Sequence, residues 1–292
     1  MANADRDAAK LHTGGLHRLV IGKGDAARDP DNWVLNTFFQ TPGYQPVTAA
    51  PSVASDSRRV WVYFGTGRYF SAHDDKSKYN DYNQQSYYGL KERYNAAGEM
   101  DPTLTNGGNL VDVSKVWVEE GNGTLHLSSG TLAATNTGAL SATTFKALDL
   151  EMSQKVDSLD KYHGWKLGFN LSGERNLGQA AILGNVVTFT TFEPETNVCN
   201  PEGNSYLWAV YYRTGTAYFK PVMGTAIRGD KVESLRKVSL GVGLASTPNI
   251  HRGSEEGTKA FVQTSTGAIV SIEQDNPGVV KSGMTSWREL SD

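Results

Sequence analysis

A single cysteine, Cys199, stands in a chain of 292 residues. One thiol excludes an intrachain disulfide framework and a C-x-x-C-H haem attachment, leaving a buried thiol or half of a bridge to another chain. Charge of one sign is also scarce: 28 Lys and Arg face 31 Asp and Glu, a formal net charge of −3. That composition lacks the basic field that nucleic-acid binding requires, and Arg58-Arg59 reads as a solvated loop. No run reaches the roughly 18–20 apolar residues of a membrane-crossing helix. The polar opening Met1-Ala2-Asn3-Ala4-Asp5 lacks the apolar centre of a secretory signal. The chain therefore reads either as cytoplasmic or as a piece of a longer exported precursor. Residues 10–21 favour the second reading, because they look like half a β-blade: a strand, the Gly14-Gly15 turn and a second strand.

What is abundant points to β structure. There are 31 Gly, 13 Tyr and 6 Trp, and β-branched and aromatic side chains pack on pleated surfaces while Gly supplies the positive φ of tight turns. Three related units recur. The first joins residues 48–53 to Val60-Trp61-Val62-Tyr63-Phe64 and the Gly65-Thr66-Gly67 turn. The second joins residues 179–183 through Gly184-Asn185 to residues 186–192, and the third joins residues 246–250 to residues 260–272. Strand, turn, strand and Gly-bearing turn in repetition is the signature of propeller blades. Further strands are expected at 33–39, 85–90, 110–113, 116–118, 124–127, 164–171, 206–212 and 238–244. One helix is expected over 145–159, where Leu148, Met152 and Val156 lie a turn apart. Residues 72–85, 128–144 and 193–204 read as long loops, and the link between 213 and 237 as helical or irregular. The expectation is an all-β, partial or modified propeller of antiparallel blades with at most one or two short helices. It is read as one domain over 1–292, with loop-rich insertions within 71–162.

These segments together resemble the C-terminal propeller domain of the type IV pilus PilY family. The matching residues are Ala50-Pro51-Ser52-Val53 with Val62-Tyr63-Phe64-Gly65-Thr66-Gly67-Arg68-Tyr69; Gln85-Ser86-Tyr87-Tyr88-Gly89; Gly164-Trp165 through Gly173-Glu174-Arg175; Val187-Thr188-Phe189-Thr190-Thr191-Phe192-Glu193-Pro194 through Cys199; and Ser286-Trp287-Arg288-Glu289. They occur in the family's order from about residue 10 onward. The resemblance implies a non-enzymatic part in pilus assembly, extension and retraction, and surface attachment. It also implies export through the periplasm to the cell surface or pilus tip. Implied partners are minor pilins or the tip complex, and a second segment or chain completing the propeller. The family's front half, its adhesin-like N-terminal region and its usual calcium loop are not visible in this chain.

Chemical sites are sparse. A contiguous calcium loop needs oxygen ligands at alternating positions with Gly at the bend. Asp5 and Asp7 lack a third ligand in step, and Asp29-Pro30-Asp31-Asn32 lacks a closing acid. Asp74, Asp75 and Asp81, with Asn80, form the densest oxygen cluster and are the weak metal candidates, with a solvated loop as the plainer reading. Six histidines offer no close zinc pair beyond His12 and His17. No Gly-x-Ser-x-Gly elbow occurs, and Gly22-Lys23-Gly24-Asp25 is not a phosphate loop. Glu174 beside Arg175 is read as an ion pair pinning a blade corner in preference to a catalytic carboxylate. Tyr63, Tyr69, Tyr79, Tyr82, Tyr87 and Tyr88 suggest an aromatic contact surface, with Tyr63, Tyr87 and Tyr88 equally suited to the core. No catalytic or cofactor-binding residue is assigned. The alternatives to a scaffold are a quinone-dependent dehydrogenase-like propeller and a glycan-binding one.

Overall fold

The computed structural model describes residues 14–22, 24–55, 59–70, 84–92, 108–156, 159–171, 173–195, 203–253 and 257–278. The chain opens with β1 (Gly15–Val20) and β2 (Val34–Gln40), followed by β3 (Ser52–Ser55), β4 (Val60–Gly65), β5 (Ser86–Lys91), β6 (Leu110–Asp112), β7 (Val116–Glu119) and β8 (Leu125–Leu127). The short β9 (Ala133–Ala134) and β10 (Gly138–Ala139) precede helix α1 (Phe145–Glu151), the small hairpin β11 (Lys155–Val156) and β12 (Leu159–Asp160), and β13 (Gly164–Gly168). Then come β14 (Ala181–Leu183), β15 (Val186–Glu193), β16 (Asn204–Tyr211), β17 (Thr225–Arg228), β18 (Lys231–Ser234) and β19 (Lys237–Val242). The last strands are β20 (Asn249–Arg252), β21 (Thr258–Gln263) and β22 (Ile269–Glu273).

The three recurring units fall in three different sheets. β3 and β4 belong to a seven-stranded sheet ordered β10-β9-β6-β13-β5-β4-β3; β14 and β15 open a four-stranded sheet β14-β15-β16-β19; β20, β21 and β22 form a third. β4 and β5 are almost wholly buried, because their sheet is covered on both faces. On one face Phe64, Tyr88, Leu90 and Leu110 meet Leu16, Phe38 and Phe39 of the β1–β2 hairpin. On the other, Tyr63, Tyr87, Val111, Trp165 and Leu167 meet Val187, Phe189, Trp208 and Val210 of the four-stranded sheet. The far face of that sheet, with Val186, Leu207 and Ala209, packs on Ala260 and Val262 of β21. Hairpin, seven-stranded sheet, four-stranded sheet and three-stranded sheet thus stack in chain order, each interface a dry layer whose large side chains contribute about 1.5–3 kcal/mol apiece.

A further four-stranded sheet, β17-β18-β7-β8, joins distant parts of the chain. Chain continuity explains its place: β6 enters the seven-stranded sheet, Val113-Ser114-Lys115 turn, and β7 enters this one. Ser114 closes the corner, its Oγ accepting from Gly168 N at 2.7 Å while Arg236 donates to the carbonyls of Val113 and Ser114 at 2.9 and 2.7 Å.

Four local expectations change. The 213–237 link is not helical or irregular; it carries the β17–β18 hairpin, turned by Gly229 at φ +67° and Asp230. The stretch 128–144 is no plain loop, since β9 pairs with β6 and Leu132 and Ala134 are buried. Its small side chains let it lie flat on the sheet edge. Helix α1 begins at Phe145, with Thr144 Oγ1 capping Ala147 N, and stops at Glu151, where the chain turns into the β11–β12 hairpin. Finally, the blades are not uniformly antiparallel: β13 inserts between β5 and β6 and runs parallel to β6.

Trp165 sits at the centre of the main core, fully buried, its Nε1 donating to Tyr212 O at 3.0 Å. Its indole lies between Gly89 and Gly215, and a methyl group at either position would overlap the ring. Trp165→Ala is expected to lose about 3–5 kcal/mol of unfolding free energy by cavity formation, and Gly89→Val about 1–3 kcal/mol by overpacking. Urea unfolding followed by circular dichroism measures both, and wild-type midpoints would contradict this packing.

Candidate functional site

Four of the five sequence segments that carry the family resemblance meet at one place. The Gly65-Thr66-Gly67 turn abuts the strand-like stretch Glu174-Arg175-Asn176 so closely that a Cβ at Gly65 would overlap the Asn176 side chain. Gly65 leaves room for that side chain, and Gly67, at φ +150°, lies against Arg175 Cβ and the Asn176 backbone. Thr66 O accepts from Asn176 N at 2.9 Å, and Thr66 Oγ1 accepts from Ser86 N at 2.9 Å, which ties in the Gln85-to-Gly89 segment. Arg175 exchanges both backbone hydrogen bonds with Phe192, adding an isolated bridge beside β15. The Tyr69 ring packs on Phe192 at 5.2 Å. The fifth segment, 286–289, lies outside the described residues.

At the heart of this junction is a buried carboxylate. Glu174 Oε1 accepts from Thr191 Oγ1 at 2.5 Å and from Trp208 Nε1 at 3.2 Å, and Oε2 meets Lys237 Nζ at 2.8 Å. The Lys237 ammonium also lies over the Tyr206 and Trp208 rings, at 3.8 and 4.9 Å from their centroids. Burial pushes the Lys237 amine below its ordinary range, with the Glu174 carboxylate acting against that shift. Tyr206 donates to Glu193 Oε2 at 3.1 Å, and its phenol is raised to about 12, chiefly by burial. The expected Glu174–Arg175 ion pair is replaced by Glu174–Lys237. Successive residues of an extended chain point to opposite sides, so Arg175 turns away and donates to the carbonyls of Gly173 and Arg68, both at 2.8 Å. Lys237 was not singled out by the sequence. The only available signal was its place at the start of an apolar strand.

A second charged group lies on the β17-β18-β7-β8 sheet. Glu119 Oε2 contacts His126 Nε2 at 2.7 Å and Lys231 Nζ at 3.2 Å, and hydrogen bonds from His126 and then Asn122 hold its carboxyl down to about 2. Lys231 belongs to β18 and Glu119 to β7, so this contact fastens the late hairpin to the early one. His126 stacks on Trp117 at 4.0 Å, with the Arg228 guanidinium 5.0 Å from the same ring.

The weak metal candidates Asp74, Asp75 and Asp81, together with Asp5, Asp7, His12, His73, Tyr79, Tyr82 and Cys199, lie outside the described residues. Among the described residues no three His, Cys, Asp or Glu side chains are grouped to hold a metal ion. Asp29 instead caps a 3-10 turn, accepting from Asp31 N at 3.1 Å and from Asn32 Nδ2 at 2.9 Å. Tyr63, Tyr87 and Tyr88 are core residues, each at most 1% exposed, so they form no contact surface. His163 Nδ1 accepts from Asn109 N at 2.7 Å, and His251 is exposed on β20. Among the described residues no helix is long and apolar enough to cross a membrane.

Stacked, mostly antiparallel sheets with a single short α-helix among the described residues define a propeller-like all-β domain. No protein-family profile matches the chain. The chain is 23% identical over 262 residues to the type IV pilus biogenesis factor PilY1 homolog of Xylella fastidiosa (strain Temecula1), covering 84% of this chain and 18% of that protein. Its fold matches the crystal structure of the Pseudomonas aeruginosa PilY1 C-terminal domain with a TM-score of 0.51 at 18% identity, over 81% of this chain and 46% of that one. Together the two likenesses support a PilY-like C-terminal domain. The chain spans about a fifth of the curated relative's length and under half of the solved chain.

Removing one partner of a buried ion pair strands the other charge, which costs about 3–5 kcal/mol. Lys237→Met alone is expected to destabilise by that amount, and Glu174→Gln combined with Lys237→Met by clearly less than the sum of the single changes. Denaturant unfolding of all four proteins gives the coupling. Strict additivity would show that the pair is not a unit.

Proposed function

We propose that this chain is a non-enzymatic scaffold within a protein of type IV pilus biogenesis. It holds contact surfaces for minor pilins or a pilus-tip complex on a stiff stack of sheets, and it acts after export, at the cell surface or pilus tip. The observation that carries the reading is the junction itself. Gly65 to Tyr69, Gln85 to Gly89, Gly173 to Arg175 and Thr191 to Glu193 belong to the segments that carry the family resemblance, and they meet one another in a buried corner. There the Glu174 carboxylate accepts from two neutral donors and is neutralised by Lys237. A group used in this way pins sheets together; a catalytic acid or base needs a proton within reach of substrate. A rigid frame that positions loops is the arrangement in which binding surfaces are usually carried.

The test is genetic. In the native host, in-frame removal of the coding segment for these residues is expected to lower sheared surface pili, measured by immunoblot of the pilin, at least tenfold, with recovery on complementation. Wild-type piliation would contradict the proposal. The competing dehydrogenase reading is separated by dye reduction with calcium, a quinone cofactor and alcohols or sugars, where no turnover above background is expected.

A further inference from the structure

The sequence holds two Asn-x-Ser/Thr triplets, Asn122-Gly123-Thr124 and Asn170-Leu171-Ser172. Such a triplet is an acceptor for N-linked sugar where its asparagine stands on a surface turn of an exported protein. Asn122 is exposed in the turn between β7 and β8, with Gly121 at φ +77° before it and Gly123 at φ +71° after it. A Cβ at Gly121 would meet nothing within 4 Å, so that flank of the asparagine is open. The turn itself is held in place, because Glu120 N donates to Val232 O at 2.8 Å and Gly121 N to Phe219 O at 2.9 Å. The Asn122 carboxamide is fixed at both ends. Its Oδ1 accepts from Thr124 N at 2.8 Å, an Asx turn that joins the two polar residues of the triplet. Its Nδ2 donates to Glu119 Oε1 at 2.6 Å. An amide nitrogen carries two N–H groups, so a sugar can replace one while the other stays on Glu119. A donor on the amide oxygen also makes the amide protons more acidic, which assists a nitrogen that is otherwise a poor nucleophile. Glu120, exposed two residues before Asn122, adds a negative charge for an enzyme to read. The second triplet has Gly168 at that place, and its Ser172 lies outside the described residues.

We infer that Asn122 is an N-glycosylation site, taking an oligosaccharide from a polyprenyl-diphosphate-linked donor through a separate membrane-bound transferase that reads Glu120, Asn122 and Thr124. In the transfer the bond from Nδ2 to the sugar C1 forms and the bond from C1 to the diphosphate oxygen breaks. The lipid diphosphate leaves with that electron pair, the Nδ2 proton passes to a base of the transferase, and nothing is oxidised or reduced. A bulky, hydrated glycan would then project from the tip of the β7–β8 hairpin. The inference goes beyond the scaffold reading and rests on it only for export, since the acceptor meets such a transferase outside the cytoplasm.

The test is mass spectrometry of the protein that carries this chain, recovered from the surface fraction of its native host. Trypsin releases Asn122 in the peptide from Val116 to Lys146, and electron-transfer fragmentation is expected to place a sugar mass on that residue. Asn122→Gln and Thr124→Ala are expected to remove the sugar, and Glu120→Gln to lower its occupancy at least tenfold. Thr124→Ser keeps the hydroxyl and is expected to keep the sugar, which separates loss of the acceptor from loss of the fold. An unmodified peptide, a sugar on the hydroxyls of residues 128–144, or Asn170 occupied as fully as Asn122 would overturn the inference. So would a sugar retained on Asn122 in Thr124→Ala, or full occupancy in Glu120→Gln. Absence of the protein from the surface fraction would sink the export reading and the site with it. Loss of piliation on deleting the coding segment, with Asn122 unmodified in the wild type, would sink the acceptor site alone. Wild-type piliation after that deletion, with Asn122 glycosylated in the wild type, would sink the scaffold role alone.

Discussion

The stacking of Tyr87 on Phe189, with ring centroids 3.6 Å apart and planes within 8°, holds the two largest layers of this domain face to face. Sheets pack about 10 Å apart through interdigitated side chains, and here that layer is aromatic. From Tyr87 the contact continues to Trp165 at 6.2 Å and on to Tyr63 at 6.2 Å; from Phe189 it continues to Trp208 at 5.9 Å. Large flat rings bury much area with few torsions to fix. They also demand room, which explains the absence of side chains at Gly89 and Gly215 on either side of Trp165.

The polar junction is a consequence of that layer. Trp208 has one N–H to satisfy once its ring is buried, and Glu174 and Thr191 accept it. A buried carboxylate then requires a counter-charge, which Lys237 supplies from the neighbouring strand, directly opposite Trp208 in the sheet register. The same residues bring Gly65 to Gly67 against Arg175 and Asn176, so the turn of the first recurring unit is joined through Arg175 to β15 of the second. The apolar layer positions the sheets, and the ion pair with its hydrogen bonds fixes this contact between the two units.

Much of this was legible in the sequence because it is written locally. Runs of β-branched and aromatic residues marked β4, β5, β15 and β16, the Gly184-Asn185 turn marked the β14–β15 hairpin, and Leu148 and Met152 a turn apart marked α1. What escaped is non-local or weakly patterned. The β17–β18 hairpin has a Gly229-Asp230 turn, but its strands are mostly exposed and carry little apolar alternation. The parallel insertion of β13 beside β6 depends on pairing across more than fifty residues, which no spacing within one segment reports. At the junction, Glu174 was visible and its partner was not: adjacency in sequence suggested Arg175, whereas extended backbone sends that side chain to the opposite side. The repeat of strand and turn marked the β units, and their stacking and the pairings between them had to come from structure.

The most direct test of this account is a double-mutant cycle on Tyr87→Leu and Phe189→Leu, read by denaturant unfolding. If the two rings are the contact between the principal sheets, each single change destabilises the chain and the pair shows a coupling of about 0.5–1.5 kcal/mol. Effects that add with no coupling would mean that these sheets do not meet face to face through Tyr87 and Phe189, and the stacked arrangement would fall with them.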